Sequence, residues 1–293
     1  MNRLFVFGLG YSATTLARRL LAGGWRVGGT VRSEEKAAAL KDEGVEAVVF
    51  DGGRDGSAVA AEAMAGASHL LTSISPGEEG DPVLLTHRDA IAAQAETLRW
   101  IGYLSTIGVY GDAGGAWIDE ETSPEPPNAR TKRRVEAEAQ WLALGRAIGV
   151  PTAVFRIAGI YGPGRNQLRQ LKEGTAKRLV KPGQVFNRIH VDDIASAVAA
   201  SMARPAQGRV YNLADDLPMP PQDVVTFAAG LLGVEPPPEV PFETAELSPM
   251  ARSFYASSKR VSNRRIKEEL GVELRYPTYR EGLTALAAAG EGA

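Results

Sequence analysis

The stretch that most constrains this chain lies at its start. Arg3, Leu4, Phe5, Val6 and Phe7 have the character of a buried strand, and they run directly into Gly8-Leu9-Gly10-Tyr11-Ser12-Ala13. Beyond the turn, Leu16, Ala17, Leu20 and Leu21 fall on one face at helical spacing. A strand, a tight glycine turn and a helix N-terminus together make a cradle for phosphate. Gly8 permits the turn, Gly10 lets backbone approach a pyrophosphate, and the small Ala13 lets helix and strand pack closely. A turn that merely connects strand to helix would read similarly. The order of strand, turn and helix is what favours a dinucleotide.

The following segments repeat that alternation. Residues 25–31, 46–50, 68–74 and 100–105 read as strands, with helical patterns at 34–43, 57–65 and 82–98 between them. Alternation of this kind predicts a parallel sheet with helices on both faces, an α/β doubly wound fold of the Rossmann type. In such a sheet the ligand lies outside the carboxyl ends of the strands. The second strand ends at Arg32-Ser33, where an NAD-selective site would carry an acid for the ribose hydroxyls. An arginine and a hydroxyl suit a 2′-phosphate, so NADP is expected, with NAD as the alternative. Asp51-Gly52 ends the third strand, where Asp51 either accepts from an adenine amino group or closes a turn. Ser73, Ile74 and Ser75 end the fourth, again at the ligand edge.

Composition narrows the function. The net charge of −2 creates no field that favours nucleic acid or an anionic membrane. With no cysteine, thiolate nucleophiles and cysteine-ligated metals are excluded. His69, His87 and His190 lie far apart, without metal-ligand spacing. No apolar run approaches membrane-spanning length and the start does not read as a signal peptide, so a cytoplasmic protein is expected.

From residue 104 onward several stretches carry a resemblance. They are Leu104-Ser105-Thr106 running into Val109-Tyr110-Gly111, Ile118 to Pro124, Val150-Pro151 to Arg156, Ile160-Tyr161-Gly162-Pro163-Gly164, Arg188-Ile189-His190-Val191-Asp192-Asp193, Val210-Tyr211-Asn212, and Ser257-Ser258-Lys259 with Leu270-Gly271. In order and in kind the chain resembles the extended short-chain dehydrogenase/reductases, the NAD-dependent epimerases and dehydratases. That resemblance implies a Rossmann domain over 1–164 and 187–216, and a smaller substrate lobe over 165–186 and 217–293. It also places Ala158, Gly159 and Ile160 beside the cofactor.

The family's site needs a Ser or Thr hydroxyl, a Tyr that moves the proton, and a Lys four residues on that lowers the Tyr pKa. Thr106 matches the hydroxyl. The Tyr-x-x-x-Lys pair is missing. Arg134-Val135-Glu136-Ala137-Glu138 fits the family's Lys-x-x-Ala-Glu and puts Arg130 where the Tyr stands; the other register pairs Asn128 with Lys132. An arginine stays protonated near neutral pH, so Arg130 cannot replace a Tyr as acid or base, whereas Arg134 can still reach a ribose or phosphate. Tyr110 and Tyr161 are the remaining phenols that could carry a proton, or else they pack as aromatics.

Arg165, Asn166, Arg169 and Arg178 are candidates for holding a phosphorylated or carboxylated small-molecule substrate, or are solvent-facing. The basic run from Arg130 to Arg134 fits such an anion better than nucleic acid. Lys259, Arg260, Arg264, Arg265 and Lys267 read as the polar face of a helix, and Asp119, Glu120 and Glu121 as a solvated loop. The resemblance also implies a homodimer, since in that family a pair of helices, here around 82–98 and 130–148, often builds one.

Overall fold

The computed structural model describes residues 2–53 and 56–292. The chain begins β1 (Arg3–Phe7), α1 (Tyr11–Ala22), β2 (Arg26–Val31), α2 (Glu34–Asp42), β3 (Glu46–Val49), α3 (Ser57–Met64) and β4 (His69–Thr72). It continues α4 (Pro82–Ala92), β5 (Trp100–Thr106), a 3-10 turn (Ile107–Tyr110), β6 (Trp117–Ile118), α5 (Ala129–Ile148) and β7 (Thr152–Ile157). Then follow β8 (Gly159–Tyr161), α6 (Gln167–Lys172), β9 (Arg178–Val180), β10 (Arg188–His190), α7 (Val191–Ala203) and β11 (Arg209–Leu213). The last elements are α8 (Pro221–Leu232), β12 (Glu239–Pro241), α9 (Pro249–Phe254), β13 (Arg260–Val261), α10 (Arg264–Leu270) and α11 (Tyr279–Ala288).

Seven strands form one parallel sheet in the order β11-β7-β5-β4-β1-β2-β3. The expected doubly wound sheet is therefore present, and its direction reverses between β1 and β4, where such sheets open a crevice. Two apolar clusters coat its faces. One joins Leu4, Val6, Leu16 and Leu20 to Phe155 and α7; the other joins Phe5, Phe7 and Ile101 to Trp141 and α4. A third core, of Tyr161, Leu168, Val224, Ala228, Tyr279 and Leu283, holds α6, α8 and α11 together as the smaller lobe.

Two boundaries differ from the sequence reading. The helix expected over 82–98 stops at Ala92. The next bonds are of the shorter i to i−3 kind, and the Gln94 side chain accepts from Gly66 N–H at 3.0 Å, a tertiary contact with no local signal. The expected lobe over 217–293 also gives residues back to the sheet domain. β13 pairs with β6, and Ile266 and Leu270 of α10 join the core that contains α7 and β11.

Helix α5 is seated on the sheet by two features. At Gly145 an added Cβ would lie 1.9 Å from Thr152 Oγ1, so only glycine lets the helix sit this close to β7. About two turns earlier, Glu138 accepts from Arg156 (Nη2–Oε2 2.7 Å) and from Ser105 Oγ at 2.5 Å, with both charged side chains less than a tenth exposed. Removing one member of a buried pair strands the other charge, a loss of about 3–5 kcal/mol. Glu138→Ala is expected to destabilise the protein by that amount in denaturant titration, whereas Glu136→Ala on the exposed face should cost less than about 0.5 kcal/mol.

Candidate active site

The glycine turn has the geometry its spacing implies. Gly8 adopts φ +90°, donates to Thr30 Oγ1 at 2.9 Å, and would collide with Ile74 if it bore a Cβ. Gly10 is the residue before α1. A Cβ there would meet nothing within 4 Å, so the backbone faces open space. Helix α1 has no side-chain cap and no acidic residue in its first turn, while α2, α4 and α5 are capped by Ser33, Asp81 and Asn128. An uncapped N-terminus presents free N–H groups and the positive end of the helix dipole. The turn therefore fits the diphosphate of a dinucleotide.

Tyr11 does structural work beside it. Its hydroxyl donates to the Pro163 carbonyl at 2.9 Å, burial raises its pKa to about 12, and the Arg165 guanidinium partly opposes that rise. Leu9 is buried against Gly29, and Lys36 Nζ donates to the Leu9 carbonyl at 2.7 Å. Ser33 accepts from Lys36 N–H as the cap of α2, and Arg32 is exposed at the end of β2. Asp51 closes its own turn, with Oδ1 accepting from Gly53 N–H at 2.8 Å. Of the two readings of that residue, the turn is the one the structure displays; Gly52 supports it with φ +102°.

A cleft of about 640 Å³ opens between the sheet and the smaller lobe. Its floor is Ser12, Ser73, Leu104 to Gly108, and Ile157 to Ile160. Thr106 is on that floor, its oxygen accepting from Gly108 N–H at 3.0 Å and its hydroxyl hydrogen still available. Arg134 reaches in from α5. It donates to Tyr103 Oη at 3.0 Å, to the Leu104 carbonyl at 2.8 Å and to Ser75 Oγ at 2.5 Å. Arg130, one turn earlier, lies near the Phe254 ring across the opening.

The two phenols considered for proton transfer are both committed elsewhere. Tyr110 does not line the cleft. It is buried, with its hydroxyl donating to Asn212 at 2.8 Å and Arg156 stacked 4.7 Å from its ring. Tyr161 does line the cleft, but its hydroxyl donates to the Thr278 carbonyl at 3.3 Å in the smaller lobe. Burial raises the pKa of Tyr110 and of Tyr161, the opposite of what a phenol acid needs. The 3-10 turn after β5 and the backbone at Thr278 set these directions, and neither is visible in local sequence.

Among the four residues considered for the substrate, only Arg165 lines the cleft. Arg169 pairs with Glu173, Arg178 pairs with Glu239, and Asn166 caps α6. Three cations absent from that reading take their place: Lys177, Arg188 and Lys259. Lys259 is not on a helix face. It is 5% exposed, donates to the Gly111 carbonyl and to Ser257 Oγ, and burial lowers its pKa. The acidic loop is likewise less solvated than expected, since Glu120 accepts from Asn212 N–H at 2.8 Å. Six cations thus line the cleft and no acid does. Among the described residues none of the six lies within 4.0 Å of a carboxylate.

His190 bonds the start of α7, its Nδ1 accepting from Asp192 N–H at 3.2 Å. Among the described residues no cluster could hold a metal, and no helix is long and apolar enough to cross a membrane.

Comparison with known proteins agrees with this geometry. The chain is 28% identical to Protein YeeZ of Escherichia coli K12, covering 94% of this chain and 97% of that protein. It is 51% identical to a functionally unknown conserved protein from Silicibacter pomeroyi, covering 99% of this chain and 100% of the other, with a TM-score of 0.88. A dTDP-glucose 4,6-dehydratase from Bacillus anthracis, solved with NAD, shares the fold at 17% identity and a TM-score of 0.76, over 97% and 95% of the chains. Residues 5–214, which include the glycine turn, Thr106 and Arg130 and Arg134 of α5, match one family model. The chain belongs to the NAD dependent epimerase/dehydratase family.

Proposed function

We propose that this protein is an NADP(H)-dependent enzyme acting on an anionic carbonyl compound or alcohol, of nucleotide-sugar or smaller size. One observation carries the reading. The uncapped N-terminus of α1 meets, at Ser12, a cleft whose six cations lack carboxylate partners. A cleft with that balance concentrates anions, and the turn beside it suits a dinucleotide diphosphate. The dehydratase from Bacillus anthracis, with its bound NAD, supports a dinucleotide here through shared fold. Arg32 and Ser33 support the 2′-phosphate of NADP.

Bound nicotinamide would supply or accept a hydride. The residues of this chain provide the rest. Thr106 donates its free hydroxyl hydrogen to the substrate oxygen. Arg130 and Arg134 occupy the places of the family's Tyr and Lys, and as permanent cations they hold negative charge on that oxygen without passing a proton. The proton is then exchanged with water. The absence of a phenol acid also favours a second reading, a dinucleotide-binding sensor that does not turn over.

Fluorescence titration with NADPH and NADH tests the cofactor. NADPH should bind at least about tenfold more tightly, a difference of about 1.4 kcal/mol. Arg32→Asp should reverse the preference, and failure of both nucleotides to bind would end the reading. NADPH oxidation, screened over phosphorylated and carboxylated aldehydes and ketones, separates enzyme from sensor. Thr106→Val should lower turnover by about 10²-fold, as the loss of one oxyanion donor does elsewhere. Binding without any turnover would favour the sensor.

A further inference from the structure

Two arginines are deeply buried beside this cleft, and they are treated differently. Arg156 is 6% exposed and is matched by Glu138 through two nitrogens. Arg188, on β10 where the sheet domain meets the smaller lobe, is 7% exposed and lines the cleft. Its Nη1 donates only to neutral carbonyls, of Phe186 at 3.1 Å and Met219 at 3.4 Å. Among the described residues no carboxylate lies within 4.0 Å of it. A guanidinium does not deprotonate in proteins, so its charge persists in this setting. Burying such a charge without a counter-ion costs several kcal/mol.

The acid behind Arg188 does not balance it. Asp215 follows β11, and its N–H donates to the Arg188 carbonyl at 2.6 Å. Its carboxyl is 2% exposed. Oδ1 accepts from Leu217 N–H at 3.2 Å, while Oδ2 is buried without a hydrogen-bond partner. Burial raises its pKa to about 8, against the pull of the Arg188 charge. The rings of Tyr161, Tyr255 and Tyr279 are also close enough to act on Arg188. The guanidinium is thus bonded only to backbone carbonyls, and it lines the cleft.

We propose that Arg188 is the anchor for an acidic group of the substrate, a carboxylate or a phosphate, which enters the cleft at its inter-lobe end and supplies the missing counter-charge. The inference deepens the proposed function, since it rests on the cleft being the substrate site, and it names the feature of the substrate that is read. A fork of N–H donors fits either group bidentately. The substrate would then run from this anchor toward Thr106, with the reacting oxygen at the far end from the acid.

The test uses the full chain and two probes, inorganic phosphate and succinate, titrated at fixed ionic strength in saturating NADPH and followed by thermal shift. The wild-type protein should respond to at least one probe at millimolar concentration, and the responding probe identifies the anion. Arg188→Gln should weaken that response at least about tenfold, while NADPH affinity stays within about twofold. Asp215→Asn, which keeps the shape and leaves Arg188 in place, should retain the response. Failure of both probes on the wild-type protein overturns the proposal, as does an undiminished response in Arg188→Gln. Should Arg188→Gln fold poorly, Arg188→Lys replaces it, and an unchanged response there to the bidentate probes also overturns the proposal. A protein that binds no NADPH but binds phosphate through Arg188 would end the cofactor reading and leave this one standing.

Discussion

The buried pair of Arg156 and Glu138 is the constraint on which the site depends. Arg156 comes from β7, Glu138 from α5 and the third partner, Ser105, from β5, so one charge pair fixes three elements under the cleft floor. Desolvating two charges is expensive, and the pair repays the cost only because its hydrogen bonds are nearly complete. The face of Arg156 also covers Tyr110, which bonds Asn212 on β11. With α5 held in rotation and height, Arg134 one turn above Glu138 can meet Leu104 and Ser75 at the ends of β5 and β4. Gly145 does the same at the other end of the helix by letting it touch Thr152.

What stands out in the cleft is the pair of arginines, Arg130 and Arg134, that α5 presents to it. A Tyr and Lys pair moves protons because the cation lowers the phenol's pKa. Two arginines four residues apart can only hold charge. Thr106 persists at the floor, and the turn at Gly8 and Gly10 persists beside it. Lys177 and Lys259 extend the cationic wall around them.

Much of this was legible because the determining interactions are local. The turn at Gly8 and Gly10 needs a positive φ and an open face, and both are properties of glycine in sequence. The strand and helix alternation points to the sheet for the same reason. The errors share a cause as well. Tyr110 and Tyr161 sit in the segments expected, but the direction of a phenol depends on what lies across the fold, Asn212 and Thr278. Lys259 reads as a polar surface residue until Gly111, 148 positions away, supplies an acceptor for it. Arg188 lies within the Arg-Ile-His-Val-Asp-Asp stretch with nothing beside it in sequence to mark its position in the cleft, because burial of a charged residue has no local signature.

Asp215 makes folding a proton-uptake reaction. In the unfolded chain its carboxyl ionises near the ordinary 3.8, and in the folded protein near 8, so between these values folding must bind a proton. The contribution of this carboxyl is most favourable in acid and drains away as pH rises through that window, the reverse of what a salt-bridged aspartate gives. The cost of burying this carboxyl in its ionised form therefore falls on the folded state alone, and it grows with pH across that window.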